Sequence, residues 1–262
     1  MNRAASEPDA HDSRSLHERI AADLRDDIMS GELTPGGALP STVRLKERFG
    51  ASSATVQKAL QLLKSEGLVI GRAGAAVTVR EHRQRTIRPA PSLIPARSGG
   101  AYPWLTEIAQ HGTQAASRLL EVAEVVPPPD VRAALGLPAD GTAILRRQLL
   151  TVDDEPAELV SSYYPLEIAA GTPLAERRRI KGGSPTLLIE LGHPARLSVD
   201  RVSARMPTQQ QCRTLRLPGN LPVLRTLRIV YGDNERAVEV GVLVKAGHLY
   251  EVQYEYAPEP NG

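Results

Sequence analysis

Three glycines, Gly31, Gly50 and Gly67, cut the N-terminal part of the chain into short segments, each ending where a left-handed residue stops a helix. Leu16, Ile20, Leu24 and Ile28 recur every four residues, so Ser15 to Ser30 predicts an amphipathic helix stopped at Gly31. The Gly- and Pro-rich run GELTPGGALPS predicts a turn, after which Ser41 caps a short helix through Val43, Leu45 and Phe49, closed by Gly50. Ser52 or Ser53 caps a third helix that runs to about Glu66 and is closed by Gly67. Leu68-Val69-Ile70 and Ala76-Val77-Thr78-Val79 then flank a Gly-rich tip, Gly71 to Gly74, as a hairpin. Three helices followed by a hairpin, with a short turn between the second and third, is the layout of a winged helix-turn-helix.

The third segment, ASSATVQKALQLLKSEGLV, shows what such a unit would touch. Val56, Ala59, Leu60 and Leu63 form one face, and Ser52, Ser53, Thr55, Gln57 and Lys58 form the other. In a winged helix-turn-helix this helix lies in the major groove, where short side chains let the backbone approach the bases. Gln57 suits a bidentate contact to adenine, Thr55 a bond or a methyl contact to thymine, and Lys58 a phosphate. Helix N-termini at Ser41 and Ser52 offer free N–H groups to phosphates, and Arg72 at the hairpin tip suits the narrow minor groove or a phosphate. The expected DNA-binding set is Ser41, Thr42, Arg44, Ser52, Ser53, Thr55, Gln57, Lys58, Arg72 and Gly74. Charge agrees: the chain is acidic up to Leu39, whereas from Pro40 to Arg88 Arg44, Lys46, Arg48, Lys58, Lys64, Arg72, Arg80, Arg83, Arg85 and Arg88 face only Glu47, Glu66 and Glu81.

A chain of 262 residues is comfortable for two domains. No apolar run approaches the roughly 20 residues of a membrane helix, and the N-terminus has no hydrophobic signal region, so a cytoplasmic protein with no membrane partner is expected. The single cysteine, Cys212, excludes an internal disulfide and reads as a small packing residue. The expected boundaries are a disordered tail over 1–14, the winged domain over 15–80, a linker over 81–103 that is basic and then rich in Pro and Gly, and a second domain over 104–257. Within the linker, Arg83, Arg85 and Arg88 are open to nucleic-acid contact or to solvent.

The second domain mixes periods. Strands are predicted over Leu119–Val126, Thr142–Val152, Ala157–Tyr164, Ala195–Met206, Val223–Tyr231, Ala237–Lys245 and Leu249–Tyr256, with short helices over Pro128–Leu135, Ser184–Leu191 and Thr208–Leu215. Turn signals at Asp153-Asp154 and Gly232-Asp233-Asn234 make hairpins of their flanking strands. The fold class is therefore α+β, with a mainly antiparallel sheet after the winged unit.

The run LHERIAADLRDDIMSGELTPGGALPSTVRLKERFGASSATVQKALQLLKSEGLVIGRAGAAVTV resembles the DNA-binding domain of the GntR superfamily of bacterial transcription regulators. It departs from that pattern at informative places. Thr42-Val43, Ser53 and Gln57 stand where members commonly carry Glu-Arg, Arg and Arg, and Ala76-Val77 replaces the usual Gly-Thr of the wing. Losing a bidentate arginine removes roughly 1–3 kcal/mol of discrimination at a base pair, so the operator is expected to differ from the family's common consensus.

The second half is similar to the UTRA effector domain of the HutC-like branch, carried by PPPDVRAALGLPADG, DDEPAELVSSYYP, LPGNLPVLRTLRIVYGDNERAVEVGVLV and LYEVQYEY. DDEPAELVSSYYP further resembles versions in actinobacterial and conjugative-plasmid regulators. The resemblance implies a chorismate-lyase-like fold, a homodimer through the UTRA sheet, an inverted-repeat operator on double-stranded DNA, and a small-molecule effector in a pocket on the sheet. Members that sense phosphorylated amino sugars use two arginines and a glutamate, whose places are taken here by Gln148, Leu150 and Val160. Glu239 and Tyr250 are kept, while Ala246 and His248 replace an Arg and an Asp. A phosphate needs charge-assisted bonds, so a more apolar or neutral effector is expected, or none. The expected effector-binding residues are Arg147, Gln148, Ser162, Tyr163, Glu239 and Tyr250, with Arg146 and Tyr164 as further polar candidates. Strand neighbours face opposite ways, so one of Arg146 and Arg147 enters the pocket.

Enzyme chemistry has little footing. The six histidines have no HExxH or Cys/His spacing, and GxSxG, GxxxxGK[ST] and strand-led GxGxxG motifs are absent, so neither metal nor cofactor is expected. A lyase activity rests on fold analogy alone. The expectation is an effector-responsive repressor of transcription; the alternative is a ligand-independent DNA-binding protein for plasmid maintenance or transfer control.

Overall fold

The structure, a computed structural model, describes residues 12–71, 76–81, 85–88, 113–218 and 221–255. Most of the expected tail, the wing tip with Arg72 and Gly74, Arg83, and most of the expected linker lie outside them. The chain divides into two compact units, Met1–Arg85 and Thr86–Gly262.

The first unit contains α1 (Leu16–Ser30), α2 (Thr42–Phe49) and α3 (Ser53–Ser65), followed by strands β1 (Val69–Ile70) and β2 (Thr78–Val79). Each helix starts and stops for a local reason. Ser15 and Glu18 form a capping box at α1, and the side chains of Ser41 and Ser52 accept the backbone N–H groups of Arg44 and Thr55. Gly31 and Gly50 close α1 and α2 at φ of 87° and 59°, where a Cβ would be strained. Ile20, Leu24, Leu45, Val56 and Leu63 are wholly buried where the three helices meet. Each contributes about 2 kcal/mol from the burial of its apolar surface. The Gly- and Pro-rich segment does more than turn: Ala38 bridges Thr78, and Leu39 N–H donates to the Val77 carbonyl, which gives the wing a third strand-like rung.

The second unit is built on a six-stranded antiparallel sheet of β4 (Ala115–Val125), β5 (Ala143–Val152), β6 (Glu155–Pro165), β7 (Leu197–Arg205), β8 (Val223–Tyr231) and β9 (Ala237–Ala246). Their order is β4-β5-β6-β9-β8-β7. Two meanders, β4-β5-β6 and β7-β8-β9, are thus joined along one long-range seam between β6 and β9. Across it Lys245 Nζ lies 2.8 Å from Glu158, and both side chains are buried. One face carries α4 (Pro129–Leu135) and α7 (Gln209–Leu215), packed through Val131 and Leu215. The other carries α5 (Leu166–Ala169), α6 (Gly183–Glu190) and the segment between them, around Tyr164, Ile168, Leu174 and Leu188.

Two sequence expectations change here. Residues 81–103 are not irregular throughout, because β3 (Arg85–Ile87) pairs with β10 (Tyr250–Val252). Thr86 Oγ1 also donates to Glu251 at 2.6 Å. The last strand therefore forms a separate ribbon with β3 instead of extending the large sheet. The helix Leu166–Ala169 was not expected; it follows directly on Pro165, the last residue of β6, which stands at its N-cap with an extended backbone.

Candidate DNA-reading face and effector cavity

On α3 the residues Ser53, Ala54, Gln57, Lys58 and Gln61 are exposed, a stripe at helical spacing opposite buried Val56, Ala59, Leu60 and Leu63. Gln57 Nε2 lies 3.4 Å from Thr42 Oγ1 at the start of α2, which links the two helices on this side. Thr55 is half-buried, with its hydroxyl 2.9 Å from that of the helix cap Ser52. Val43, next to Thr42, is an exposed apolar residue. The side chains of Arg44 and Lys58 are exposed and make no hydrogen bond or ion pair among the described residues. Other members of the basic block have partners: Arg48 donates to Asp27 at 2.7 Å and stacks on Phe49, and Arg88 lies 3.6 Å from Glu255. Arg44 in the first turn of α2 and Lys58 in the second turn of α3 thus stand near two helix N-termini, whose positive ends and free first-turn N–H groups favour an anion.

In the second unit a cavity opens between the sheet and its α5/α6 cover. Its floor is a row of cross-strand neighbours, Arg146, Ser162, Gly241 and Arg228, running from β5 to β8, and Asp200 on β7 continues the row beyond the lining. Gly241 supplies no side chain at the middle of the row, which leaves the floor hollow there. Gln148, Val160 and Leu243 line the next row; Glu239 and Val230 stand on the other side. Arg179, Ile180, Gly183, Ser184 and Pro185 form the roof. Arg146 staples that roof to the floor, its terminal nitrogens donating to the backbone carbonyls of Leu174 at 2.9 Å, Glu176 at 2.8 Å and Arg178 at 2.7 Å. Burial pulls its guanidinium below the ordinary arginine value. Arg228 is neutralised by Asp200 through two hydrogen bonds of 2.7 Å.

Among the described residues, the carboxyl lining the cavity is that of Glu239. Burial raises its pKa, and hydrogen bonds from Ser162 and Tyr164 oppose that rise only in part. Burial raises the Tyr164 phenol well above the usual value as well. Three arginines thus line the chamber, Arg146 held by backbone carbonyls, Arg228 neutralised by Asp200 and Arg179 in the roof, beside an acid that burial shifts toward its neutral form.

Gln148, Ser162 and Glu239 of the expected effector set line this cavity, and Arg147, Tyr163 and Tyr250 do not. Of the two neighbouring arginines it is Arg146 that faces it. Arg147 points to the opposite face, where it pairs with Glu121 and donates to Ser161 at 3.3 Å. Tyr163 packs on that face with Val131 and Leu145, and Tyr250 is buried with Leu150 and Val152. Alternation along β5 requires that one arginine face each way, and only the placement of the roof decides which. The sequence offers no signal for Arg179, which lies in a segment without period, and places Ser184 only as the start of a short helix, with nothing to show which face of the sheet that helix covers. Among the described residues no group of His, Cys, Asp or Glu is placed to hold a metal, and no helix is long and apolar enough to cross a membrane. Cys212 is half-buried on α7 with its thiol free.

Comparison with known proteins agrees with both halves. Residues 16–79 match the family model for bacterial regulatory proteins of the gntR family, and residues 110–251 match that of the UTRA domain. The uncharacterized HTH-type transcriptional regulator SCO4628 of Streptomyces coelicolor is 27% identical over 95% of this chain and 94% of its own length. The HTH-type transcriptional regulator GgaR of Escherichia coli is 23% identical over 92% of this chain and 91% of its own. Among solved structures, a GntR-family transcriptional regulator superposes with a TM-score of 0.61 at 23% identity, covering 94% of this chain and 99% of that one. With a gntR-type winged domain on its N-terminal side and a UTRA domain over more than half its length, the chain belongs to the GntR family of transcriptional regulators, in the branch with a UTRA effector domain.

Proposed function

We propose that the protein acts in the cytoplasm as a homodimeric repressor that reads an inverted-repeat operator and is released from it by a small molecule bound in the sheet cavity. One observation carries this reading: α3 exposes a stripe of polar and cationic side chains, and the N-cap residues of α2 and α3, Ser41 and Ser52, are exposed as well. In the bound state Gln57 and Ser53 face base edges, Lys58 and Arg44 meet phosphates, and the first-turn N–H groups that the caps Ser41 and Ser52 leave free add anion contacts. Thr42 and Thr55 support this surface, and Arg72 and Gly74 of the wing complete it. A single winged domain covers too few base pairs for high specificity, so two copies related by a two-fold axis supply the missing half-site.

The effector reading rests on Gln148, Ser162, Glu239 and Arg146 around the hollow at Gly241. Gln148 and Val160 face the cavity in place of phosphate-binding charge, and this supports a neutral polar or partly apolar ligand. Occupancy shifts the population of DNA-competent dimers by a coupling on the order of 1–3 kcal/mol.

The test is fluorescence anisotropy of the purified protein on DNA from its own promoter region, with random DNA as competitor and salt varied. Tight binding that survives the competitor supports the reading, whereas weak binding that the competitor abolishes argues against a defined operator there.

A further inference from the structure

The link between Gln57 and Thr42 has a consequence for base readout that rests on the placement of α3 in the major groove. We propose that Thr42 is a positioning residue that holds the carboxamide of Gln57 ready for one adenine in each half-site. Gln57 is exposed on the second turn of α3, and the half-buried Thr42 is the first residue of α2. One amide hydrogen of Gln57 is directed at Thr42 Oγ1, 3.4 Å away. The second amide hydrogen and the carbonyl oxygen remain for a partner outside the protein, a donor and an acceptor side by side.

Adenine alone presents the matching pair in the major groove, N7 as acceptor and the N6 amino group as donor. A glutamine on an open helix face otherwise samples many rotamers, and its terminal torsion is broad. Thr42 is β-branched and sits in a helix, so its hydroxyl occupies few positions and can restrain the longer side chain before DNA arrives. Restraint in advance raises discrimination because less freedom is lost on binding the correct base. The neighbouring contacts do not duplicate this role: Thr55 is occupied with Ser52, and Lys58 carries donors but no acceptor, so it cannot match the N6–N7 pair of adenine.

The experiment is selection of the full-length protein on a randomised duplex pool at fixed salt, followed by sequencing, for the wild type, Gln57→Ala, Thr42→Val and Thr42→Ser. The wild type is expected to enrich an A·T pair at one symmetry-related position, and Gln57→Ala to abolish that preference. Thr42→Val, which keeps shape and removes the hydroxyl, is expected to weaken the same preference roughly three- to ten-fold while the other positions stay as they were. Thr42→Ser restores it. A Thr42→Val profile identical to the wild type, or a loss spread evenly over all positions, overturns the positioning role. If Gln57→Ala changes no position, the placement of α3 itself fails, and the proposal with it.

Discussion

The guanidinium of Arg25 on α1 grips the carboxylate of Glu66 at the end of α3 with two hydrogen bonds, 2.9 and 2.6 Å long, and the Glu66 side chain is fully buried. The pair fixes how the DNA-reading helix leans on the rest of the winged unit. Arg25→Ala removes two charge-assisted hydrogen bonds from a buried carboxylate and is expected to cost about 2–3 kcal/mol. Urea denaturation of the variant should show this loss, with Arg25→Lys intermediate because an ammonium cannot form the two-pronged contact.

Lys58→Ala is expected to weaken binding to all duplexes alike and to lower the magnitude of the salt slope, log Kd against log salt, by about 1. Anisotropy titrations at several salt concentrations check this. A loss confined to one DNA sequence would move Lys58 from phosphate to base.

Glu239 makes the effector domain sensitive to pH. Its folded pKa is raised above the unfolded value by burial, so the folded state binds the proton more tightly. The destabilisation from ionising this side chain is therefore absent below the unfolded pKa, about 4.3. It grows as pH rises toward the folded value and is complete above it. Glu239→Gln removes that penalty. Melting temperatures of the two proteins should diverge in favour of the variant as pH is raised from about 4 to 7.

Gly241→Val tests the cavity. A Cβ at this position lies 3.1 Å from the end of the Leu243 side chain, which can move aside, and the backbone there is extended rather than left-handed. The valine should fold within about 1 kcal/mol of the wild type, as suits a β-branched residue in a strand. It fills the hollow between Ser162 and Arg228. In a thermal-shift screen against a panel of neutral metabolites, a compound that raises the melting temperature of the wild type should leave this variant unmoved, while its affinity for operator DNA stays the same.

The winged unit was legible almost to the residue because its signals are local. A serine accepting an N–H and a glycine at positive φ act within one helical turn, so Ser41, Ser52, Gly31 and Gly50 mark their helix ends without knowledge of the rest of the chain. The strands of the second unit were legible from alternation, and so was the fact that Arg146 and Arg147 part ways. Which face is roofed was not, because the cover comes from Ile180 to Pro185, far along the chain and without a period of its own. The same limit explains β10. Leu249 to Tyr256 has the composition of a strand, but its partner is Ile87, whose carbonyl accepts the Gln253 N–H, and nothing near either residue announces the pairing.

The seam between β6 and β9 also bears on how the effector domain is made. Each meander pairs strands that follow one another in the chain, by a tight hairpin or across one short helix, and so closes sooner, whereas joining the two requires segments more distant in the chain to find one register, the slower kind of event. Ser162 lies on one side of that seam and Gly241 on the other, so the ligand chamber does not exist until the two halves have joined. A molecule that fits it therefore binds only the completed sheet and draws the chain toward completion by mass action. The same molecule that controls the regulator would then also act as its folding partner, slowing the loss of newly made chains when it is abundant.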